Sequence, residues 1–200
     1  MFPEHMSLTA SPLPFRTRHL SIHLDYPDID SSILKMIFGP NRSSLASLKL
    51  FTLANSATSR RLIDFFARAP FTNVRSLVLD QSFAFSDWPD LVKAFPFLAH
   101  LDFTYDGDVL SDDLEAQILE AVGSCVPSTL QRLRLRYPPS AYRKRIMGIK
   151  SFIGLPNLVG IRHLELPTLR KDDFACEAGV ALLQECEERS VSLLCRYGYL

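Results

Sequence analysis

Glycine is scarce and scattered: eight occur in 200 residues, and none falls into a G-x-G-x-x-G or G-x-x-x-x-G-K-[ST] spacing. A loop that cradles phosphate must bring its backbone close to the ligand, and glycine makes that approach possible. Nucleotide sites of those two kinds are therefore not expected, and no cofactor is. G-x-S-x-G and H-E-x-x-H are missing as well, which removes the nucleophile-elbow hydrolase and the zinc-protease readings. The four cysteines, Cys125, Cys176, Cys186 and Cys195, form no C-x-x-C pair, so neither a zinc site nor a redox pair is expected. Reduced, largely buried thiols in an intracellular protein, cytoplasmic or nuclear, fit them better. Of the four, Cys176 falls just outside the apolar spacing of its helix and is the one to check for exposure. No run of about 18 apolar residues exists to span a membrane. The opening "MFPEHMSLTASPLPF" lacks a basic stretch followed by an apolar one, so no secretory signal is expected. "NRS" at Asn41 has the form of a glycosylation sequon, but such short matches arise by chance. Charge has no dominant sign, with 22 basic against 22 acidic side chains. No global field therefore recruits nucleic acid or a membrane surface.

What is abundant is leucine at a fixed spacing. "LQRLRLRY" at 130–137 has the form L-x-x-L-x-L, and that form recurs. It returns as "LASLKL" from Leu45, "VRSLVL" from Val74, "LAHLDF" from Leu98 and "IRHLEL" from Ile161, with weaker copies at Thr17 and Ser190. The central residues Leu20, Leu48, Leu77, Leu101, Leu133, Leu164 and Leu193 are separated by 28, 29, 24, 32, 31 and 29 positions. Each L-x-L is a period-2 pattern and predicts a strand. Between strands the period lengthens to that of a helix. The predicted apolar stripes are Ile29, Ile33, Met36, Ile37; Leu62, Phe65, Phe66, Ala69; and Trp88, Leu91, Val92, Phe95. Three more follow: Leu114 to Cys125; Tyr142, Ile146, Ile149, Ile153; and Phe174, Ala178, Ala181, Leu182, Cys186. A strand and a one-sided helix cannot bury their apolar faces alone, so copies are expected to stack. The prediction is an α/β solenoid of six to seven repeats over 17–200, after a flexible lead over 1–16. Parallel strands would line its concave face and helices its convex face. Neither end offers an obvious cap for such an array. A doubly wound sheet, and with it an enzyme domain, is the competing architecture. It usually binds phosphate at a glycine-rich first turn, and "LDYPDIDSS" holds no glycine there.

These motifs resemble leucine-rich repeats. "RHLSIHL", "FPFLAHLDF" and "LPNL" with "IRHLEL" are similar to the divergent repeats of fungal F-box/LRR proteins. The resemblance covers about residues 17–197. It implies a non-catalytic protein–protein interaction scaffold, the substrate-recognition region of an F-box-type ubiquitin-ligase receptor, with ligase substrates as partners. Two departures accompany it. The asparagine expected after the motif is replaced by Leu53, Ser82, Asp106, Pro138 and Leu169. No F-box segment precedes Leu13, so no residue here inherits adaptor binding.

Charge is unevenly placed. Seven acidic residues and no basic one lie between Asp102 and Glu120, whereas 121–164 holds eight basic residues and no acidic one. Segment 131–150 is thus the place for the alternative function, nucleic-acid or phospho-ligand binding, because arginine forks suit phosphate. If 132–136 is a strand, Arg132, Arg134 and Arg136 share one face. In a parallel sheet Arg134 would lie between Asp102 and Glu165 and be neutralised there. Arg132, between His100 and His163, would find no carboxylate, nor would Arg136. Those two, with Phe51, Asp80, His100 and His163, are the candidate partner-binding residues of the concave face. Arg143, Lys144 and Arg145 form a second basic patch at a helix start. His100 and His163 lie two strands apart, roughly 10 Å, too far to share a metal with bonds of about 2 Å. No metal site is expected.

Overall fold

The computed structural model of the chain describes residues 16–24, 31–52, 56–80, 88–104, 123, 126–136, 158–166, 170–195 and 198–199. Its centre is one sheet of seven parallel strands: β1 (His19–Leu24), β2 (Ser47–Thr52), β3 (Ser76–Asp80), β4 (His100–Thr104), β5 (Arg132–Arg136), β6 (His163–Leu166) and β7 (Ser192–Cys195). Each strand pairs with the next in the chain, so the order runs one way across the sheet. A doubly wound sheet reverses its order at a switch point, where its ligand crevice lies. No such reversal occurs among the described strands. A two-residue strand, β8 (Gly198–Tyr199), folds back antiparallel onto β7, opposite Leu194 and Cys195. The sequence offered no sign of this edge cover.

The register follows the leucine spacing. Leu20, Leu48, Leu77, Leu101, Leu133, Leu164 and Leu193 stand opposite one another across all seven parallel strands. A second regularity lies two residues before the first five of them. The carbonyls of Arg18, Ala46, Arg75, Ala99 and Gln131 each accept two consecutive N–H groups from the next copy, at 2.8 to 3.2 Å. Backbone groups entering β2 to β6 are thereby satisfied by the neighbouring copy rather than by water. Side chains supplement this one copy at a time. Ser44 Oγ donates to Thr17 O at 3.0 Å, Asn73 Nδ2 to Ser43 O at 2.5 Å and Thr129 Oγ1 to Leu98 O at 2.8 Å. The turn positions after the motif, Leu53, Ser82, Asp106, Pro138 and Leu169, lie outside the described residues, as does 1–15 of the predicted lead.

Four helices are described: α1 (Ser31–Phe38), α2 (Ser56–Ala67), α3 (Trp88–Lys93) and α4 (Glu177–Glu188), the last preceded by a 3-10 turn over Lys171–Ala175. Leu34 and Phe38 of α1, Leu62 and Phe66 of α2, Leu91 of α3 and Leu182 of α4 join the strand leucines in one apolar cluster. The helices therefore cover the sheet face that carries Leu48, Leu77 and Leu133. Its densest part is aromatic. Phe38, Phe66, Phe71 and Phe95 are fully buried, with Phe38–Phe66 edge-to-face at 5.0 Å and Phe66–Phe71 at 5.4 Å. Burial of each such ring contributes about 1.5–3 kcal/mol, plus about 0.5–1.5 for favourable ring geometry.

The α2, α3 and α4 stripes fall largely where the spacing put them, with one shift: Phe174 sits in the 3-10 turn rather than in the helix. The α1 stripe is out of phase. Ile33 is 37% exposed, whereas Leu34 and Phe38 are buried. Ile37 is partly buried against the core, and Ile29 lies outside the described residues. The helices expected over 114–125 and 142–153 lie outside the described residues, apart from Gly123, which is helical and buried.

Candidate functional site

The opposite sheet face carries the alternate strand positions, and no described helix covers it. One row across it runs His19, Ser47, Ser76, His100, Arg132, His163, Ser192. The next row runs Ser21, Lys49, Val78, Asp102, Arg134, Glu165, Leu194. Beyond these, Phe51 stands opposite His23, and Asp80, Thr104 and Arg136 stand in register on β3, β4 and β5. These rows follow from the period of two: fixing the leucines inward fixes every neighbour outward.

The sheet brings the expected ladder together. Arg134 Nη1 lies 3.5 Å from Asp102 Oδ2 and its Nε lies 3.4 Å from Glu165 Oε2. Arg132 departs from expectation. It has His100 and His163 directly beside it, as the spacing required, yet it does find a carboxylate. Its Nε donates to Glu165 Oε1 at 2.5 Å, and its Nη2 contacts the same oxygen. Glu165 is two residues beyond the lateral neighbour of Arg132, a diagonal that a long side chain spans. Glu165 is 5% exposed, so two guanidinium groups enclose a buried carboxylate. Asp102 is the weaker acceptor. Burial raises its pKa above the ordinary 3.8, against the opposing pull of Arg134, Arg136 and Lys49. Its Oδ1 is buried without a hydrogen-bond partner, as is Arg134 Nε.

The remaining candidates divide by place. Arg136 is exposed and makes no ion pair among the described residues, and His100 and His163 are exposed. Phe51 is half-buried, with a contact of its own. Asp80 ends β3 in the row of Arg136, but its side chain lies outside the described residues, as do Arg143, Lys144 and Arg145 in full. Ser76, Val78, His100, Asp102, Arg132, Arg134 and Glu165 border a shallow depression of about 240 Å³. Among the described residues, no three of His, Cys, Asp and Glu cluster to hold a metal, and no helix is long and apolar enough to cross a membrane.

In register on this face stand four cations, Lys49, Arg132, Arg134 and Arg136, and three carboxylates, Asp80, Asp102 and Glu165. Asp102 and Glu165 are held by Arg132 and Arg134. The face can therefore offer positive charge at Arg136 and Lys49, beside neutral donors and acceptors at the histidines and serines. Cys176 is half-buried against the core, while Cys186 and Cys195 are buried.

Asn41 acquired a role that its sequon hid. It is 1% exposed: its Oδ1 accepts from Thr17 N–H at 2.9 Å and its Nδ2 donates to Ile37 O at 2.9 Å. It ties the approach to β1 to the end of α1. The available signal was "FGPN", a helix-ending turn in which asparagine commonly bonds nearby backbone. No family model matches the chain, and no curated protein matches it.

Proposed function

We propose that the chain is a protein-recognition array of the leucine-rich-repeat type that takes an acidic segment of a protein partner on its uncovered sheet face. The observation that carries this reading is the charge placement on that face: Asp102 and Glu165 are engaged by Arg132 and Arg134, while Arg136 and Lys49 are exposed. A wide, mostly polar strip with few deep recesses suits a protein surface better than a small substrate. The resemblance narrows the reading to substrate recognition within an F-box-type ubiquitin-ligase receptor inside the cell.

The test is site-specific photo-crosslinking in extract of the native source. A photoreactive phenylalanine analogue at Phe51 or Thr104 should capture a protein, and Arg136→Glu should abolish the capture. The same analogue at Val180, exposed on α4, is the control and should not capture it. Capture from Val180 alone would overturn the reading. Presence of a ubiquitin-ligase adaptor in the captured complex supports the narrower form, and its absence removes the ligase element. The nucleic-acid alternative loses strength from Arg132 and Arg134, whose charge Glu165 and Asp102 already offset. A steep loss of oligonucleotide binding with salt would restore it.

A further inference from the structure

Just ahead of the strands, Arg75 of the third copy reaches into the fourth. Its Nη1 donates to Phe97 O at 2.8 Å, and its guanidinium carbon lies 5.1 Å from the centroid of the Phe97 ring. Phe97 stays 46% exposed, so the cation shields one face of a ring that water otherwise touches. Arg162 holds the same place in the sixth copy. Arg75 lies two residues before the aligned Leu77, and Arg162 two before the aligned Leu164. In the copy that follows, however, the residue equivalent to Phe97 is Arg189, four positions ahead of Leu193. A second cation offers no ring face to the first. Arg162 is exposed, and among the described residues neither a carboxylate nor a ring lies against its guanidinium.

Beside Arg162 lies a recess of about 160 Å³ between the sixth and seventh copies. Its described lining is Leu158, Val159, Ile161 and Arg162 from one copy, and Arg189 and Val191 from the other. Leu158, Ile161 and Val191 are buried, whereas Val159 is 67% exposed. A space of about 150 Å³ admits a benzene-sized ring. Both walls are fixed by backbone bonds. Ile161 N–H donates to Leu158 O at 3.0 Å, and Val191 N–H to Cys186 O at 2.8 Å. Gly160 lets the first wall lie directly on the fifth copy, since a Cβ there would stand 2.6 Å from Ser128 O. Arg189 is tied to its own helix, its Nε donating to Glu185 Oε1 at 2.6 Å. Walls already ordered lose little freedom when a guest enters.

We infer that this recess binds an aromatic side chain presented by a protein partner. The ring rests against Val159, Ile161 and Val191, with one face under the Arg162 guanidinium. The carbonyl of the same residue accepts from Arg162, as Phe97 O does from Arg75. The negative face of an aromatic ring complements the cation, and the apolar wall takes its edge. Tyrosine and tryptophan suit the place, because each brings a large ring at little conformational cost and a polar tip that stays in water. The recess shares no lining residue with the depression on the sheet face and does not depend on the acidic partner proposed there.

Titration of the full chain with N-acetyltyrosinamide, followed by proton–nitrogen correlation NMR, tests it. The amide signals of Val159, Arg162 and Val191 should move saturably. N-acetylleucinamide, which has an apolar side chain but no ring, should bind at least about threefold more weakly. Arg162→Gln, at an exposed position, should weaken the tyrosine compound about two- to fivefold, the share of a surface cation–π contact, while thermal unfolding stays near that of the parent chain. Arg136→Glu on the sheet face should leave the affinity unchanged. Absence of saturable movement at those three amides overturns the proposal. So does equal binding of the leucine compound, or an affinity that Arg162→Gln leaves unaltered.

Discussion

Arg132 and Glu165 meet diagonally across β5 and β6, with Arg132 Nε 2.5 Å from Glu165 Oε1, and Arg134 approaches the other oxygen of the same carboxylate. The two arginines are not equivalent. The side chain of Arg132 is 51% exposed and that of Arg134 is 35% exposed, while that of Glu165 is 6% exposed. Solvent can replace the carboxylate for Arg132 but not the arginines for Glu165. Arg132→Ala should therefore cost under about 1 kcal/mol. Glu165→Ala should cost more, about 1–3 kcal/mol, because two partly buried guanidinium groups lose their acceptor. A double-mutant cycle by urea unfolding should return a coupling of about 0.5–1 kcal/mol for the pair. No coupling at low salt would show that the contact is incidental.

Asp102 makes the opposite prediction about its own charge. Burial raises its folded pKa above 3.8. In the window just above 3.8 the folded state then holds more of the proton than the unfolded state, so stability from this group falls as pH rises through it. Asp102→Asn should remove that loss. Relative to the parent chain, the variant should gain stability at pH 7, and the gain should shrink as pH falls through that window. Urea midpoints of both proteins from pH 7 to pH 3.5 measure it. A variant that is less stable at pH 7 would show that the attraction of Arg134, Arg136 and Lys49 outweighs burial.

Much of the sheet was legible because two constraints agreed. The L-x-L period set which side faces inward, and the spacing of about 29 set which residues stand side by side. Together they placed Arg134 between Asp102 and Glu165. They failed on Arg132 because register considers only lateral neighbours, whereas an arginine extends far enough to reach the diagonal one. They failed on α1 because Leu34 and Phe38 also stand at helical spacing, and the pattern alone does not say which stripe faces the sheet.

Asn41 should behave as a structural residue. Asn41→Asp keeps Oδ1 for Thr17 N–H but replaces the Nδ2 donor to Ile37 O with an oxygen, in a site that is 1% exposed. An acceptor then faces an acceptor in a dry place, and a buried charge is added. The expected loss is about 2–4 kcal/mol at pH 7, easing at pH 4 as the new carboxyl takes up a proton. Asn41→Ala loses both bonds without adding charge and should cost about 1–3 kcal/mol at either pH. Chemical denaturation at the two pH values separates the pair.

Gly179 sets helix propensity against space. In an open helix interior, glycine to alanine gains about 1 kcal/mol. Within α4, however, a Cβ at this position would lie 2.4 Å from Phe174 Cα and 2.5 Å from Phe174 O. Those are backbone atoms of the 3-10 turn and cannot rotate aside. Gly179→Ala should therefore destabilise the chain by about 1–3 kcal/mol despite its better propensity. Hydrogen exchange should show the loss first at Phe174 to Val180, where the turn must move. A stabilised variant would mean that the turn shifts at little cost.

The thiols should react in an order set by burial. Cys186 is buried on α4, and desolvation, with a smaller contribution from the neighbouring Glu185 charge, pushes its pKa from 9.0 to about 11. At pH 8 that shift lowers its thiolate fraction roughly 100-fold relative to an ordinary cysteine, before access is counted. Cys176, half-buried just ahead of α4, should be alkylated by iodoacetamide first, and Cys186 and Cys195 only in step with unfolding. Peptide mapping over a time course at pH 8, with and without urea, gives the separate rates. Modification of Cys186 in the absence of urea at a rate near that of Cys176 would show that α4 opens locally, well below the free energy of global unfolding.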